Sequence, residues 1–209
     1  MVSRSPDPIP LDGPLFEGRE VRVGWPEPDE YDRITALRNR PAVRQRFLDP
    51  RPLDIERNRE WLARGMRRPY EALLSIRLKR TGGFVGAIGW SAYDPATASF
   101  EMGRVMVDTG AVLPYRDRFP PGYEGIAADA GVALRDFGFE RMGLVLMRSE
   151  VIGDNALSRR ATLLGGARLT GRSRGVRADG TEVDLIHFEM TREEWLAIRS
   201  RSKPPERLR

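Results

Sequence analysis

The sequence lacks cysteine altogether and contains a single histidine, His187, among its 209 residues. Without cysteine the chain cannot form a disulfide framework, a thiolate nucleophile or a cysteine-based zinc site. One histidine also argues against a histidine-rich metal centre or a histidine-based triad, so we expect no bound metal. His187 alternates with Ile186 and Phe188 on a strand-like segment, which favours a structural or solvent-facing histidine over a catalytic one.

Long apolar runs are missing as well. No stretch approaches the roughly 18 to 20 apolar residues that a helix needs to cross a bilayer. The first residues, MVSRSPDPIPLDGPL, carry prolines and acids where a signal peptide needs an apolar core. We therefore expect a soluble, unexported, cytoplasmic protein that has no membrane partner.

Lysine is scarce, since Lys79 and Lys203 are the only two, and arginine supplies nearly all of the positive charge. The 35 basic and 30 acidic residues leave a formal net charge of +5. Both signs are spread along the chain without interleaved aromatic and basic residues, which argues against a nucleic-acid partner. Hydrophobic residues make up 40% of the chain, enough for a folded core, and this excludes a disordered protein.

One domain is the simplest organisation, because no internal repeat and no change of composition marks a linker. We place this domain at residues 19–199. The proline-containing residues 1–18 are predicted to form an extended arm, and residues 200–209 a basic tail.

Strands and helices of the domain are marked by periodicity, turn residues and cap residues. The predicted strands cover residues 20–25, 71–79, 84–93, 99–108 and 142–147, and two more flank a hairpin at 178–180. The predicted helices lie between Pro28 and Pro41, from Asp54, over 126–137, from Asp154 and, as a short last helix, from Thr191. Asp54 and Asp154 are predicted N-caps, and Thr191 with Glu194 fits a capping box.

Several segments, taken in order, resemble the GNAT N-acetyltransferases, and in particular the branch that includes the bacterial ribosomal-protein N-terminal acetyltransferases. They are ITALRNRPAVRQRFLDPRPL, FVGAIGW, FEMGRVMVD, FGFERMGLVLM, DNALSRRATLLGG and GRSRGVRADGTEVDLIHFEMTREEW. The resemblance implies an α+β fold in which a mixed, mostly antiparallel, splayed sheet of about seven strands is flanked by helices. The strands at 99–108 and 142–147 would part to admit an acyl-CoA thioester.

The implied activity is transfer of an acetyl group from acetyl-CoA to a primary amine by direct attack in a ternary complex. The acceptor would be a small-molecule amine, an amino sugar or a protein N-terminus. The alternative is a catalytically silent acyl-CoA-binding module. We expect a monomer or a homodimer.

The same resemblance assigns a seat for the pyrophosphate of acetyl-CoA. Gly125, Ile126 and Ala127 match the end of the family motif, at a helix start where unpaired backbone N–H groups suit a phosphate. The Arg or Gln that opens the motif is missing, since Gly122 stands in its place.

The resemblance also assigns residues that would contact the thioester and the pantetheine arm of acetyl-CoA. The backbone amides of Met106 and Val107 would bind the thioester carbonyl. Asn155 matches the residue that contacts the pantetheine arm, with a helix-cap role as its alternative. Thr162 stands at the position where the family often has a tyrosine that acts as the general acid. Ser158 matches a serine that would take over this role and protonate the leaving thiolate. The alternative for Ser158 is a helix serine exposed to solvent.

Glu101 is the preferred general base, because only a neutral amine has a lone pair for attack and a carboxylate can take its proton. Burial in the cleft would raise its pKa toward the useful range. The alternative is an ion pair between Glu101 and Arg104. Asp108 is the second candidate base, although its place at a strand end equally suits a turn residue.

The connection at residues 109–124 is longer than the family usually has here, and long connections inside a domain are often functional. Its prolines and its aromatic residues, such as Tyr115 and Phe119, predict an ordered loop, which we expect on the acceptor side of the cleft. Arg116 and Arg118 could instead serve the cofactor phosphates, and a surface insertion without a role is the remaining alternative.

Overall fold

Eight strands and seven α-helices form the part of the chain that the computed structural model describes, residues 14–65 and 70–202. The strands are β1 (Pro14–Glu17), β2 (Val21–Gly24), β3 (Ala72–Leu78), β4 (Phe84–Asp94), β5 (Ser99–Val107), β6 (Leu146–Ile152), β7 (Arg168–Val176) and β8 (Glu182–Thr191). The helices are α1 (Tyr31–Asn39), α2 (Pro41–Arg44), α3 (Ile55–Gly65), α4 (Thr109–Val112), α5 (Ile126–Glu140), α6 (Ala156–Leu164) and α7 (Arg192–Ser202). Short 3-10 helices cover Pro28–Glu30 and Leu113–Arg118.

All strands lie in one sheet with the order β1-β2-β3-β4-β5-β6-β8-β7. Neighbouring strands are antiparallel except β5 and β6, which run parallel. A parallel pair needs a crossover connection, and α5 lies in the connection between these two strands. The prediction of an α+β fold with a mixed, mostly antiparallel sheet is confirmed.

Helices cover both faces of the sheet. On one face, which we call the α1 face, Ile34 of α1 and Leu62 of α3 pack with Ala87 and Met106 of the sheet. On the other, the α5 face, the core includes Leu134 of α5 and residues of β1 to β6. Because successive strand residues point to opposite faces, strands β3, β4 and β5 contribute to both layers.

A bulge in β5 decides which of its side chains share a face. Ala87 pairs with Met106 and Gly89 with Gly103, so β5 has one more residue than β4 between the two pairs. Within this step Arg104 has a φ of +57°, which is uncommon for a residue other than glycine. The extra residue resets the alternation, and therefore Glu101 and Met106 both lie on the α1 face.

Two strands differ from the prediction. Strand β1 pairs with β2 although it lies in the segment predicted as an extended arm, and it accounts for the eighth strand. Strand β6 begins at Leu146 rather than Met142, because Met142 and Leu144 are buried in the preceding turn, where Gly143 has a φ of +69°. Apolar residues of a buried turn thus resemble a strand in the sequence.

Predicted helix signals are mostly found in place. The Asp54 side chain accepts a hydrogen bond from Arg57 N–H at 2.9 Å before α3. Thr191 and Glu194 form the capping box of α7, whose two hydrogen bonds measure 2.8 and 3.2 Å. Within the described residues, no helix combines the length and the apolar composition that a membrane span requires.

Candidate functional site

A gap opens between β5 and β6 because their pairing stops early. Only three residue pairs join the strands, and the last of them is Glu101 with Arg148. Strand β5 continues to Val107, whereas β6 pairs along its whole length with β8. Beyond Glu101, one edge of β5 therefore has no neighbouring strand in the described part of the chain.

The backbone of β5 presents an N–H group to this gap. Asp108 N–H bonds to the Val85 carbonyl at 2.8 Å, and a β-carbon on Gly86 would collide with the Met106 carbonyl oxygen. Both observations show the Met106 carbonyl facing β4. Since the peptide bonds are trans, the Val107 N–H points the opposite way, toward the gap. The Met106 amide is directed at β4 by the same alternation, so its orientation does not support the role predicted for it.

Helix α5 begins as predicted, directly after Gly125. Gly125 has a φ of +106°, a conformation that L-residues rarely adopt, and no described side chain caps the helix. The Ile126 side chain is buried in the core, while Ala127 is half-buried. The first N–H groups of α5 are therefore a suitable seat for an anion.

The first turn of α5 is held in place by the carboxylate of Asp129. It accepts hydrogen bonds from the backbone of Arg19 at 2.6 Å and of Glu20 at 2.8 Å, and from the Tyr123 hydroxyl at 3.0 Å. Burial and the negative charge of Asp129 raise the pKa of Tyr123, so this hydroxyl stays protonated and keeps donating. These hydrogen bonds hold the residues before β2 and the end of the 109–124 connection against α5.

The connection at 109–124 lies beside the start of α5. It forms α4 and a 3-10 helix, and Tyr115, Phe119 and Tyr123 pack against the core of the α5 face. Phe119 and Tyr123 stack with ring centroids 4.6 Å apart. The aromatic residues that predict an ordered loop therefore attach it beside the start of α5.

Asp108, the second candidate for the general base, has a structural role. Its carboxylate caps α4 by accepting from Gly110 and Ala111 N–H, and it forms two hydrogen bonds of 2.8 and 3.0 Å with the Arg40 guanidinium. The bonds to Arg40 lower the pKa of Asp108, although partial burial opposes this. A carboxylate held ionised in this way is a poor proton acceptor.

Glu101 lies at the edge of the gap, half-buried on the α1 face. Burial raises the pKa of its carboxyl, the negative charge of Glu150 adds to the rise, and Arg104, His187 and Arg148 oppose it. Arg104 forms an ion pair with Glu71 at 2.9 Å, and its charge opposes the rise in the pKa of Glu101.

Asn155 and Ser158 lie at the start of α6. The Asn155 side-chain oxygen caps this helix by accepting from Ser158 N–H at 3.3 Å, and its Nδ2 donors take no part in the cap. The predicted cap, Asp154, contacts Arg46 instead at 3.3 Å. Ser158 is half-buried, and the Thr162 hydroxyl is bound to the Ser158 carbonyl at 2.9 Å.

The open end of the gap is bridged on the α1 face. Ala178 N–H in the β7–β8 turn donates to the Leu48 carbonyl at 3.0 Å, and the Arg177 guanidinium donates to the Gln45 carbonyl at 2.9 Å. The connection between α2 and α3 thus reaches the far edge of the sheet. These contacts form a wall of the cleft opposite α5.

Residues 21–168 of the chain match the family model of the acetyltransferase (GNAT) domain. The chain belongs to the GNAT acetyltransferase family. This family uses acetyl-CoA, and the gap between β5 and β6 is the candidate acetyl-transfer cleft.

Solved GNAT structures share the fold at low sequence identity. A GCN5-related N-acetyltransferase from Brucella melitensis has a TM-score of 0.71 and 22% identity, over 96% of this chain and 88% of that chain. A probable GNAT acetyltransferase from Chromobacterium violaceum has a TM-score of 0.72 and 18% identity, over 93% and 99%. A spermidine N-acetyltransferase from Vibrio cholerae, solved with CoA and spermine, has a TM-score of 0.71 and 13% identity, over 85% and 98%. No curated protein sequence matches the chain.

Sequence reasoning missed one part of this GNAT cleft, the pair formed by Glu150 and His187. They lie opposite each other on β6 and β8, with 3.6 Å between Glu150 Oε2 and His187 Nδ1. The predicted strand stopped at Met147, so Glu150 was not placed on the sheet. Extending that strand by the next five residues, Arg-Ser-Glu-Val-Ile, would have placed this carboxylate on the same face of the sheet as Glu101.

We expect Asp108→Asn to lower the free energy of unfolding at pH 7 by about 0.5–1 kcal/mol, because it keeps a cap but loses the ion pair with the half-exposed Arg40. The pKa of Asp108 is lowered in the folded state. The ionised carboxylate therefore stabilises the folded state fully above the ordinary carboxyl pKa of 3.8, and this stabilisation is lost as the pH falls through the folded-state pKa. Denaturant unfolding from pH 7 to 3 measures this. A difference between variant and wild type that does not shrink on acidification would contradict the assignment. Asp108→Ala, which also loses the cap, should cost about 1 kcal/mol more.

Proposed function

We propose that this GNAT enzyme transfers an acetyl group from acetyl-CoA to a primary amine by direct attack in a ternary complex, with Glu101 as general base. The observation that carries the proposal is the position of Glu101 at the last pair of β5 and β6, on the edge of the gap. Its carboxylate forms no ion pair within the described residues, and its pKa is raised. A carboxylate with a raised pKa is a better proton acceptor than an ordinary one.

Two backbone features fit acetyl-CoA. The N–H groups that begin α5 can bind its pyrophosphate, and the Val107 N–H can bind a carbonyl oxygen in the gap. Acetyl-CoA supplies the acetyl group as an activated thioester. Asn155 would contribute its Nδ2 donors to the pantetheine arm.

The residues of the cleft then account for the protons. The amine nitrogen forms a bond to the acetyl carbon while the bond from that carbon to sulfur breaks. Glu101 accepts the proton that the amine loses, and the Ser158 hydroxyl gives one to the leaving sulfur and regains one from solvent. No covalent bond to the enzyme is needed.

Arg116 and Arg118 would supply the positive charge that the motif lacks at Gly122. Both are exposed on the 3-10 helix of the connection, which packs beside the start of α5 through Phe119 and Tyr123. This placement favours the cofactor over the acceptor as the group that the connection serves.

The acceptor remains one of three classes, a small-molecule amine, an amino sugar or a protein N-terminus. The narrower resemblance to ribosomal-protein N-terminal acetyltransferases stays a prediction. Because the Vibrio cholerae structure contains spermine, a polyamine belongs among the first acceptors to assay.

Glu101→Gln should lower kcat by about 10²–10⁴-fold with little change in the KM for acetyl-CoA, since a base acts on the amine and not on the cofactor. The fall of kcat at acidic pH, which reports protonation of Glu101, should disappear in the variant. The control is Glu182→Gln, which removes an exposed carboxylate at the start of β8. Wild-type kcat in Glu101→Gln across the pH range would show that another group is the base.

Ala127→Glu should abolish acetyl-CoA binding, because it places a negative charge at the N–H groups proposed for the pyrophosphate. An acidic residue in the first turn suits the helix dipole, so α5 should remain folded. Calorimetric titration with CoA measures the effect. Ala127→Gln is the control of equal size, and it should retain most of the affinity. Equal losses in both variants would indicate a steric effect and no phosphate at this position.

Arg116→Ala and Arg118→Ala should each raise the KM for acetyl-CoA several-fold and leave the KM for the acceptor nearly unchanged. Arg57→Ala removes one exposed positive charge from α3 and serves as the control. A selective rise of the acceptor KM would instead assign the connection to the acceptor. No change in either constant would leave it without a role in binding.

A further inference from the structure

A half-buried base that receives a proton in every turnover also needs a way to release it. We propose that Glu150 and His187 carry the proton from Glu101 to solvent, with Ser173 holding the imidazole. This relay rests on the proposed function, in which Glu101 takes the proton of the amine. Glu150 and His187 act through Glu101, so they are positioning and relay residues.

Glu150, His187 and Ser173 lie side by side on three adjacent strands. Glu150 on β6 is paired with His187 on β8, and their side chains are 29% and 36% exposed. His187 Nε2 lies 2.7 Å from the Ser173 hydroxyl on β7, and Ser173 is exposed. The row thus runs from a half-buried carboxylate to a residue that solvent reaches.

Glu101 continues this row at the edge of the gap. It is paired with Arg148, and Glu150 is the next residue of β6 on the same face, two positions along. The charges of Glu150 and His187 both act on Glu101. Apart from them, the charged groups near Glu101 are Arg104, which pairs with Glu71, and Arg148.

Arg148 does not interrupt the row, because its guanidinium is held elsewhere. One of its nitrogens donates to the Ser99 hydroxyl at 3.0 Å, and another lies 3.5 Å from Glu189. The carboxylate of Glu150 consequently has His187 as its ion-pair partner among the described residues.

The proton balance of the relay is simple. The proton on Glu101 passes to the carboxylate of Glu150, the next residue of β6 on the same face, which returns Glu101 to its basic form. Glu150 passes it to Nδ1 of His187, and a proton leaves the ring from Nε2, beside the exposed Ser173, to solvent. One proton enters and one leaves in each turnover.

The relay is tested with Glu150→Gln and His187→Ala, assayed at neutral pH and low buffer concentration. Each should lower kcat about tenfold and leave the KM for acetyl-CoA unchanged. His187 is the only histidine of the chain. Added imidazole should therefore restore kcat in His187→Ala, and sodium chloride of equal ionic strength should not. Asp184→Asn, on the opposite face of β8, should have wild-type kcat.

The possible results distinguish a failure of the relay from a failure of Glu101 as the general base. Wild-type kcat in both Glu150→Gln and His187→Ala, with Glu101→Gln inactive, would refute the relay and leave the proposed function standing. A loss in folded His187→Ala that imidazole does not restore would also refute it. Wild-type kcat in Glu101→Gln would refute the base itself. If His187→Ala does not fold, the isosteric Glu150→Gln decides.

Discussion

The early end of the pairing between β5 and β6 underlies the whole site. Strand β6 pairs with β8 over all seven of its residues but with β5 over only three. A strand edge without a partner offers N–H and C=O groups to any extended ligand. The cleft is therefore made by the sheet itself, and its walls are the start of α5 on one face and the bridge between Leu48 and Ala178 on the other.

The charge pattern of the α1 face complements this backbone geometry. In an arginine-rich chain, a carboxylate at the cleft is expected to form an ion pair with an arginine, but the arginines near Glu101 contact other groups. Arg104 pairs with Glu71, and Arg148 contacts Ser99 and Glu189. Burial and the charge of Glu150 therefore outweigh the charges of these arginines and raise the pKa of Glu101, and its carboxylate has no ion pair among the described residues, as the proposed base requires.

Much of the fold could be predicted because its signals are local. Turn residues mark the meander, and Asp54 and Gly125 mark helix starts where the structure has them. The misses come from tertiary effects. The residues around Arg104 carry no sequence signal for a β-bulge, yet the bulge brings Glu101 and Met106 to one face of the sheet. The fold class followed from these local signals and from the family resemblance together, whereas the facing of individual side chains did not.

The site was predicted best where main-chain geometry carries the function. Gly125 is at the start of α5 as predicted, and the Val107 N–H faces the gap. The departures from the family pattern, Gly122 and Thr162, are in side chains. Loss of a basic side chain beside a helix start weakens the attraction for phosphate but leaves the N–H groups that bind it. Loss of the tyrosine concerns only the leaving sulfur. Neither change touches the proposed route of the amine's proton through Glu101, so both departures would bear on affinity and on the leaving group more than on the attack itself.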